Sequence, residues 1–403
     1  MNASDRQAIL TQQKPTRIWH GEPYFGSEYG AEEIDAVVAT MRRCMDPEVG
    51  FSGGEEIGEF EERFAAFCGV EHAVSVNSAG VGLDLAMMCL DLEPGDEVIC
   101  PTINFKAAPL SIAGQGGQWI PCESHPRSFQ MDPVDAESRI TPRTRALYPV
   151  HMNGCSAPMD ELLAVAARHE HPKHGPIKVI GDAARACGGG YKDGKIGALG
   201  WCTVFSFHTM KNMVTLGEGG MVVTNDADLA ARMRRIRFFG GDAEWGSSYL
   251  MNRVQAALGS VQVGRLEALV DRRRALAHAR DRMLAGLDAI LTPYEPDECR
   301  HSYYLYTLLV RPELGGEWRD RLRALLQERH GVETIVANPP VHSTSEFLRR
   351  HTGNPPLPIA EEIGRRLFCL PIAPTMTDAE NEYLCAALWD AVEVLGAPAA
   401  SAG

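Results

Sequence analysis

Apolar residues follow two different spacings along the chain. Over residues 31–43 and 56–67 they recur every three or four positions, which predicts amphipathic helices. Short apolar runs predict buried strands at residues 73–76, 97–100, 146–150, 179–182 and 203–207, with further helices at 80–90 and 159–169. Because strands and helices alternate from residue 73 to 224, we expect right-handed strand–helix–strand units and a mostly parallel sheet.

The rest of the chain predicts a smaller α+β unit. Residues 254–291 indicate one long helix or two stacked helices, followed by a strand at 303–310, a helix at 318–330, a strand at 333–336 and a closing helix at 378–395. We therefore predict an α/β fold in four parts: a mobile N-terminal arm (1–30), a large domain (31–265), a small C-terminal domain (266–395) and a flexible tail (396–403).

Several residues that can bind a ligand follow the ends of predicted strands. They are Ser78, Phe105, His151, Asp182 and Lys211. In open parallel sheets, ligands bind at the carboxyl ends of the strands. The sequence therefore predicts one site at this edge of the sheet.

Lys211 and Asp182 indicate the chemistry of that site. Burial lowers the pKa of a lysine amine, and a neutral amine is the form that makes a Schiff base. A strand-end carboxylate can keep a pyridine nitrogen protonated, so that pyridoxal phosphate acts as an electron sink. The alternative is a surface lysine and a structural aspartate, and these two residues alone do not decide between the interpretations.

Two neighbouring features fit the same cofactor. Ser78-Ala79-Gly80 turns the chain into a helix, where backbone N–H groups and the helix dipole favour an anion such as a phosphate. Phe105 lies where an aromatic side chain could stack on a flat ring. Each feature also has a structural interpretation, as an ordinary strand-to-helix turn and as a core aromatic.

The composition of the chain argues against several kinds of binding partner. The chain has 403 residues and a net charge of −14 without any basic block, which argues against nucleic-acid and membrane binding. Residues 1–16 lack the apolar core of a signal peptide, and no apolar run is long enough to span a membrane. Eleven cysteines without a C-x-x-C pair favour reduced thiols and a cytoplasmic location. We expect no metal site, since the histidines at positions 169, 171 and 174 lack acidic or thiol partners at matching spacing.

Five segments in a fixed order carry a family resemblance. They are residues 94–99, 181–184 (Gly-Asp-Ala-Ala), 205–208 (Phe-Ser-Phe-His) with Lys211, 217–225 (Gly-Glu-Gly-Gly-Met-Val-Val-Thr-Asn) and 254–259. From about residue 30 to 395 the chain resembles the DegT/DnrJ/StrS family of pyridoxal-phosphate-dependent aminotransferases. The resemblance implies the aspartate aminotransferase fold (fold type I), with helices flanking a mostly parallel sheet and a smaller C-terminal α+β domain.

The resemblance also implies a role for each matching residue. Lys211 corresponds to the lysine that forms the Schiff base and later moves a proton, and Asp182 to the partner of the pyridine nitrogen. Phe105 corresponds to the aromatic that stacks on the ring. Ser206 corresponds to a serine that holds the phosphate, and we include His208, two residues further on, among the cofactor-binding residues.

Members of this family are homodimers with active sites at the subunit interface, and the resemblance implies the same assembly here. It also implies transfer of an amino group from L-glutamate or L-glutamine to a keto-sugar, often nucleotide-linked, or to a cyclitol ketone. Such reactions belong to amino-sugar, cell-surface polysaccharide or antibiotic biosynthesis. The implied cofactor is pyridoxal 5′-phosphate.

Several positions depart from the family pattern. Ala79-Gly80 stands where Gly-Thr is usual, which removes one hydroxyl contact to the phosphate. Arg185 stands where a glutamine is common, and a guanidinium there would favour an anionic phenolate oxygen or bind an acidic substrate. Ser248 replaces an asparagine that reaches the phosphate of the partner subunit.

Three other functions compete with this interpretation. Some family members are dehydratases, but they carry histidine where this chain has Lys211. A nicotinamide-dependent reductase would need a glycine-rich turn into a helix, whereas residues 188–194 read as a hairpin. The third is a regulator that binds the cofactor without catalysis, although the sequence shows neither a DNA-binding helix pair nor a basic face.

Overall fold

The computed structural model describes residues 1–12 and 19–396. Its helices are α1 (Ala3–Gln12), α2 (Ala31–Cys44), α3 (Glu55–Cys68), α4 (Ala79–Cys89), α5 (Ala107–Gly114), α6 (Pro133–Ser138), α7 (Met159–Ala167), α8 (Ala227–Ile236), α9 (Arg253–Leu284), α10 (Glu317–His330), α11 (Val341–Thr344), α12 (Glu346–Thr352), α13 (Pro358–Arg366) and α14 (Asp378–Leu395). Its strands are β1 (His72–Val76), β2 (Glu97–Pro101), β3 (Gln118–Cys122), β4 (Thr144–Leu147), β5 (Glu170–His171), β6 (Gly175–Pro176), β7 (Lys178–Asp182), β8 (Gly190–Tyr191), β9 (Gly194–Lys195), β10 (Cys202–Ser206), β11 (Gly220–Thr224), β12 (Ile290–Leu291), β13 (Cys299–Arg300), β14 (Tyr306–Val310) and β15 (Leu367–Leu370).

Seven strands form the central sheet, in the order β1-β11-β10-β7-β4-β2-β3. Neighbours from β10 to β3 run parallel, and β11 alone runs antiparallel to both β1 and β10. This arrangement confirms the predicted α/β fold with a mostly parallel sheet. It also places β7 beside β10, with Asp182 paired to Val204, so the strands that precede Asp182 and Lys211 are neighbours.

An aromatic cluster packs one face of this sheet against α3 and α9. Phe64 meets Phe205 and Phe207 edge-on, with ring centres 5.1 and 5.2 Å apart, and Phe60 lies 5.4 Å from Phe207. Helix α9 crosses over Phe60 at Gly259, where any side chain would begin 2.7 Å from the phenyl ring. The close approach of these elements therefore depends on a residue without a Cβ atom.

The C-terminal part contains a three-stranded antiparallel sheet, β12-β14-β15. The prediction of a strand at residues 333–336 is wrong, because only Ile335 pairs with Cys369 there. The side chain of Arg323 donates to the backbone carbonyl of Thr334 at 2.8 Å, so that carbonyl is satisfied outside the sheet. Pro339 and Pro340, which have no N–H donor, follow soon after.

Other predicted boundaries shift by a few residues. Residues 254–284 belong to one continuous helix, which settles the choice left open by the sequence. The strand predicted at 303–310 begins at Tyr306, since Tyr303 has a φ of 45°, outside the extended range. The strand predicted at 146–150 ends at Leu147, and Val150 makes an isolated bridge to Asp182.

The ends of the chain were predicted to be mobile. Helix α1 lies within the predicted arm and packs on α14, where Arg6 pairs with Glu393 and lies 4.6 Å from the centre of the Trp389 ring. The helix shows that regular structure begins earlier than we expected. Most of the predicted tail, from residue 397 onward, lies outside the described residues. The domain boundaries themselves stay a prediction.

No helix in the described part of the chain is both long and apolar enough to cross a membrane.

We expect Gly259→Ala to destabilise the protein. A Cβ atom there would overpack the buried Phe60 ring, at a cost of about 1–3 kcal/mol, which exceeds the gain of about 0.5–1 kcal/mol from replacing a helical glycine. Gly264→Ala in the same helix is the matched control, because nothing lies within 4 Å of its Cβ position. Urea unfolding should show a lower midpoint for Gly259→Ala and an equal or higher one for Gly264→Ala. A midpoint for Gly259→Ala at or above that of the wild type would contradict this packing.

Candidate active site

A cavity of about 420 Å³ opens at the carboxyl edge of the central sheet. It brings together most of the predicted site residues: Ser78, Ala79, Gly80, Phe105, Asp182, Arg185, Ser206, His208 and Lys211. Glu22, Asn104 and Glu218 also line it. The prediction of one site at the strand ends therefore agrees with the geometry of the molecule.

Lys211 lies in the loop that leaves β10. A tight turn holds it, in which its backbone N–H donates to the carbonyl of His208 at 2.8 Å. The amine donates to the hydroxyl of Tyr304 at 2.9 Å. Although part of the side chain faces the cavity, burial of the amine, together with the positive charge of Arg185, lowers its pKa to about 7. A large fraction of the amine is therefore neutral at neutral pH.

Asp182 ends β7 and is almost fully buried. One carboxylate oxygen accepts a hydrogen bond from the backbone N–H of Ala184 at 2.9 Å. Burial raises the pKa of this carboxyl group, while the Ala184 N–H and the charges of Arg185 and Lys211 act in the opposite direction. The carboxyl group makes no ion pair with another described residue, so it remains available to a positively charged group in the cavity.

Arg185 is held in place by two asparagines. Its guanidinium donates to the side-chain oxygen of Asn338 at 3.0 Å and to that of Asn153 at 3.5 Å, and it lies 5.2 Å from the centre of the Tyr304 ring. Burial lowers the pKa of Arg185. Its partners are neutral amides, so its charge is not cancelled by a direct contact and acts on the cavity.

The start of α4 forms another wall of the cavity. Ser78 caps this helix, with its hydroxyl accepting from the N–H of Val81 at 3.3 Å. Gly220 on β11 lies against the turn, and any side chain there would begin 2.7 Å from the backbone nitrogen of Ala79. On β10, the hydroxyl of Ser206 accepts from the N–H of His208 at 3.3 Å. Helix N-terminal N–H groups and hydroxyls at one end of a cavity can bind an anion.

Three residues singled out in the sequence lie at different places relative to the cavity. Phe105 lines the cavity and its side chain is 53% exposed, so its ring is not part of the core. Ser248 does not line this cavity and instead pairs with Phe238. His151 is buried behind the sheet edge, where it accepts from the N–H of Ala157 at 3.1 Å and burial lowers its pKa to about 3.

The sequence analysis missed several residues around the cavity. Tyr304 was passed over because it falls in the segment 303–310, which was predicted to be a strand. Glu22 was overlooked because it falls in the segment assigned to the arm. Asn153 and Asn338 both have a positive φ, which asparagine tolerates better than most residues, but a single sequence does not mark such positions.

A family model for the DegT/DnrJ/EryC1/StrS aminotransferase family matches residues 31–389. The chain belongs to this family. It therefore is an aminotransferase, and the fold is that of the pyridoxal-phosphate-dependent aminotransferases, as the resemblance implied.

Known aminotransferases of the family match along most of their length. GDP-perosamine synthase from Caulobacter vibrioides is 36% identical, over 86% of this chain and 92% of the relative. The dTDP-3-amino-3,4,6-trideoxy-alpha-D-glucose transaminase from Streptomyces venezuelae is 37% identical, over 87% and 91%. The crystal structure of S. venezuelae DesV in complex with a ketimine intermediate is 34% identical, with a TM-score of 0.81 over 89% of this chain and 94% of that one.

This family implies pyridoxal phosphate as the cofactor, and the residues around the cavity fit that group. Lys211 and Asp182 line one cavity together with the turn at Ser78, where helix N–H groups could bind a phosphate. The side-chain oxygen of Asn104 is buried without a hydrogen-bond partner among the described residues. A buried polar atom without a partner at a cavity wall is expected where a ligand binds.

We expect one lysine to titrate near pH 7 in the protein without added cofactor. Reductive methylation with ¹³C-formaldehyde labels lysine amines for NMR, and the signal of Lys211 is the one missing from Lys211→Ala. In Arg185→Gln the midpoint should move to higher pH, because removing a nearby positive charge favours the protonated amine.

Arg168→Gln is the control, since Arg168 pairs with Glu137 at the surface, away from the cavity. A wild-type midpoint close to the ordinary value of 10.5 would contradict this account of the site. So would an Arg185→Gln midpoint that stays the same or falls.

Proposed function

We propose that this aminotransferase transfers an amino group from L-glutamate or L-glutamine to a nucleotide-linked keto-sugar, with pyridoxal phosphate bound in the cavity. One observation carries the proposal: Lys211 and Asp182 follow adjacent strands, β10 and β7, and face the same cavity. The sugar class rests on the relatives, which are named for amino-sugars linked to GDP or dTDP.

The chain offers a contact for each part of the cofactor. The start of α4 at Ser78, with the hydroxyl of Ser206, suits the phosphate. Phe105 offers an aromatic face to the ring, and the buried carboxylate of Asp182 suits the protonated ring nitrogen. When bound, pyridoxal phosphate supplies an aldehyde for Schiff bases and a ring that accepts an electron pair from the donor's α-carbon.

Lys211 is suited to move the proton. With a pKa of about 7, its amine can take a proton from the α-carbon of the donor and release one again in the second half-reaction. Tyr304 holds the amine by the hydrogen bond of 2.9 Å and so limits the directions in which it can point. A lysine at this position favours an aminotransferase over a dehydratase, which carries a histidine there.

Exposed apolar side chains, one of them at the cavity, support a homodimer with its active sites at the interface. They include Tyr24, Phe105, Leu216, Phe238 and Trp245, each at least 45% exposed. Tyr24 is fixed to the Lys211 loop by a hydrogen bond of 3.1 Å from Thr209 to its carbonyl. Large exposed apolar groups of this kind are typical of a surface that another protein chain covers. In such a dimer, Ser248 would contribute to the cavity of the partner subunit, and Arg185 would contribute to the cavity of its own subunit.

The reverse half-reaction tests the proposed acceptor class. Because transamination is reversible, an amino-sugar product can act as the amino donor. We expect the protein loaded with pyridoxal phosphate to change from the Schiff-base absorption band to the pyridoxamine band with GDP-perosamine or with dTDP-3-amino-3,4,6-trideoxy-α-D-glucose. L-glutamate or L-glutamine should cause the same change, and UDP-glucose, which has no amine, should not. Conversion by an amino acid but by neither amino-sugar would contradict the sugar class and leave the aminotransferase.

A further inference from the structure

Glu22 is a cavity residue that the proposed mechanism does not use. It is partly buried and lines the same cavity as Lys211, Asp182 and Arg185. It comes from the N-terminal segment, outside the central sheet. Its position relative to the cofactor site therefore depends on how firmly that segment is held.

The segment that carries Glu22 is fixed against the loop of Lys211. The backbone N–H of Gly26 donates to the carbonyl of Thr209 at 2.9 Å. At Gly26, any side chain would begin only 2.0 Å from the carbonyl oxygen of Met210. The guanidinium of Arg273, which is buried, donates to the carbonyl of Gly26. These contacts hold Glu22 at a defined place at the mouth of the site.

The carboxylate of Glu22 makes no hydrogen bond or ion pair with any other described residue. Its negative charge is nevertheless close enough to raise the pKa values of both Lys211 and Arg185. A carboxylate that faces two cations without touching either leaves room between them for a ligand group. In this it differs from Glu28 of the same segment, whose carboxylate pairs with Arg265 at 3.2 Å.

Asn104 supplies a second, independent acceptor. Its side-chain nitrogen donates to the sulfur of Cys100 at 3.4 Å, while its oxygen is buried without a partner among the residues that the structure describes. Glu22 and Asn104 line the same cavity, and each carries side-chain oxygen that accepts hydrogen bonds. Hydroxyl groups donate such bonds, whereas a carboxylate placed beside Glu22 would be repelled by its charge.

We propose that Glu22 determines acceptor specificity, by binding sugar hydroxyls next to the reacting carbonyl and by disfavouring acceptors that carry a carboxylate. The proposal rests on the transfer to a keto-sugar inferred above, and it names the residue that recognises the sugar. Arg185 has the opposite charge and serves the carboxylate of the amino donor. The two residues together let one cavity take an anionic donor and a hydroxyl-rich acceptor in turn.

Binding to Glu22→Gln tests the proposal without relying on catalysis. We would measure by calorimetry the affinity of the protein loaded with pyridoxal phosphate for GDP-mannose, a nucleotide-sugar that cannot react, and for succinate. Glu22→Gln should weaken GDP-mannose binding about fivefold, since hydroxyls bind a carboxylate more strongly than an amide. It should strengthen succinate binding about threefold, because one repulsive charge is lost. Glu28→Gln is the matched control and should change neither affinity.

The outcomes separate this proposal from the proposed function. If the wild type binds GDP-mannose and converts an amino-sugar, but Glu22→Gln binds both ligands like the wild type, the role of Glu22 is overturned and the function stands. A parallel loss for both ligands would likewise overturn it, since that result indicates a structural role. If the wild type neither binds GDP-mannose nor converts either amino-sugar, the sugar class fails and the specificity role of Glu22 fails with it.

Discussion

The site depends on the cost of burying one charged amine. The amine of Lys211 has a hydroxyl as its hydrogen-bond partner and no carboxylate of a described residue in direct contact, so its charge is poorly compensated and its pKa falls to about 7. A direct ion pair with Asp182 would hold the amine in its protonated form. The structure keeps the two groups apart, and both remain available for a cofactor between them.

The surrounding fold maintains this separation. Parallel pairing of β7 with β10 sets the two groups on neighbouring strands. Arg273 then links three segments around the site, since its guanidinium donates to the carbonyls of Gly26, Tyr303 and Ile372. Burial lowers the pKa of Arg273 to about 9. A buried cation that satisfies several backbone carbonyls joins the N-terminal segment, the Tyr304 segment and the C-terminal part at one point.

Much of this could be predicted from the sequence, because strands buried on both faces leave strong apolar runs and a parallel sheet collects its strand ends at one edge. Lys211, Asp182 and Phe105 were found in this way. Tyr304 and Glu22 were not, since their roles come from contacts between segments far apart in the chain. Tyr304 looks like a strand residue and turns toward Lys211 only because Tyr303 has a positive φ. The strand predicted at 333–336 is wrong for a more local reason, since Arg323 in the preceding helix takes the backbone carbonyl of Thr334.

Borohydride reduction of the protein with pyridoxal phosphate, followed by peptide mass spectrometry, tests the central claim most directly. Reduction fixes a Schiff base to the lysine that formed it. We predict one pyridoxyl group per chain, on Lys211, and none on Lys106, which is exposed beside Phe105. Asp182→Asn should retain the label on Lys211, because that lysine does not depend on the aspartate for its position. A label on Lys106 or another lysine, or no label at all, would contradict the assignment of Lys211 as the neutral amine around which the site is built.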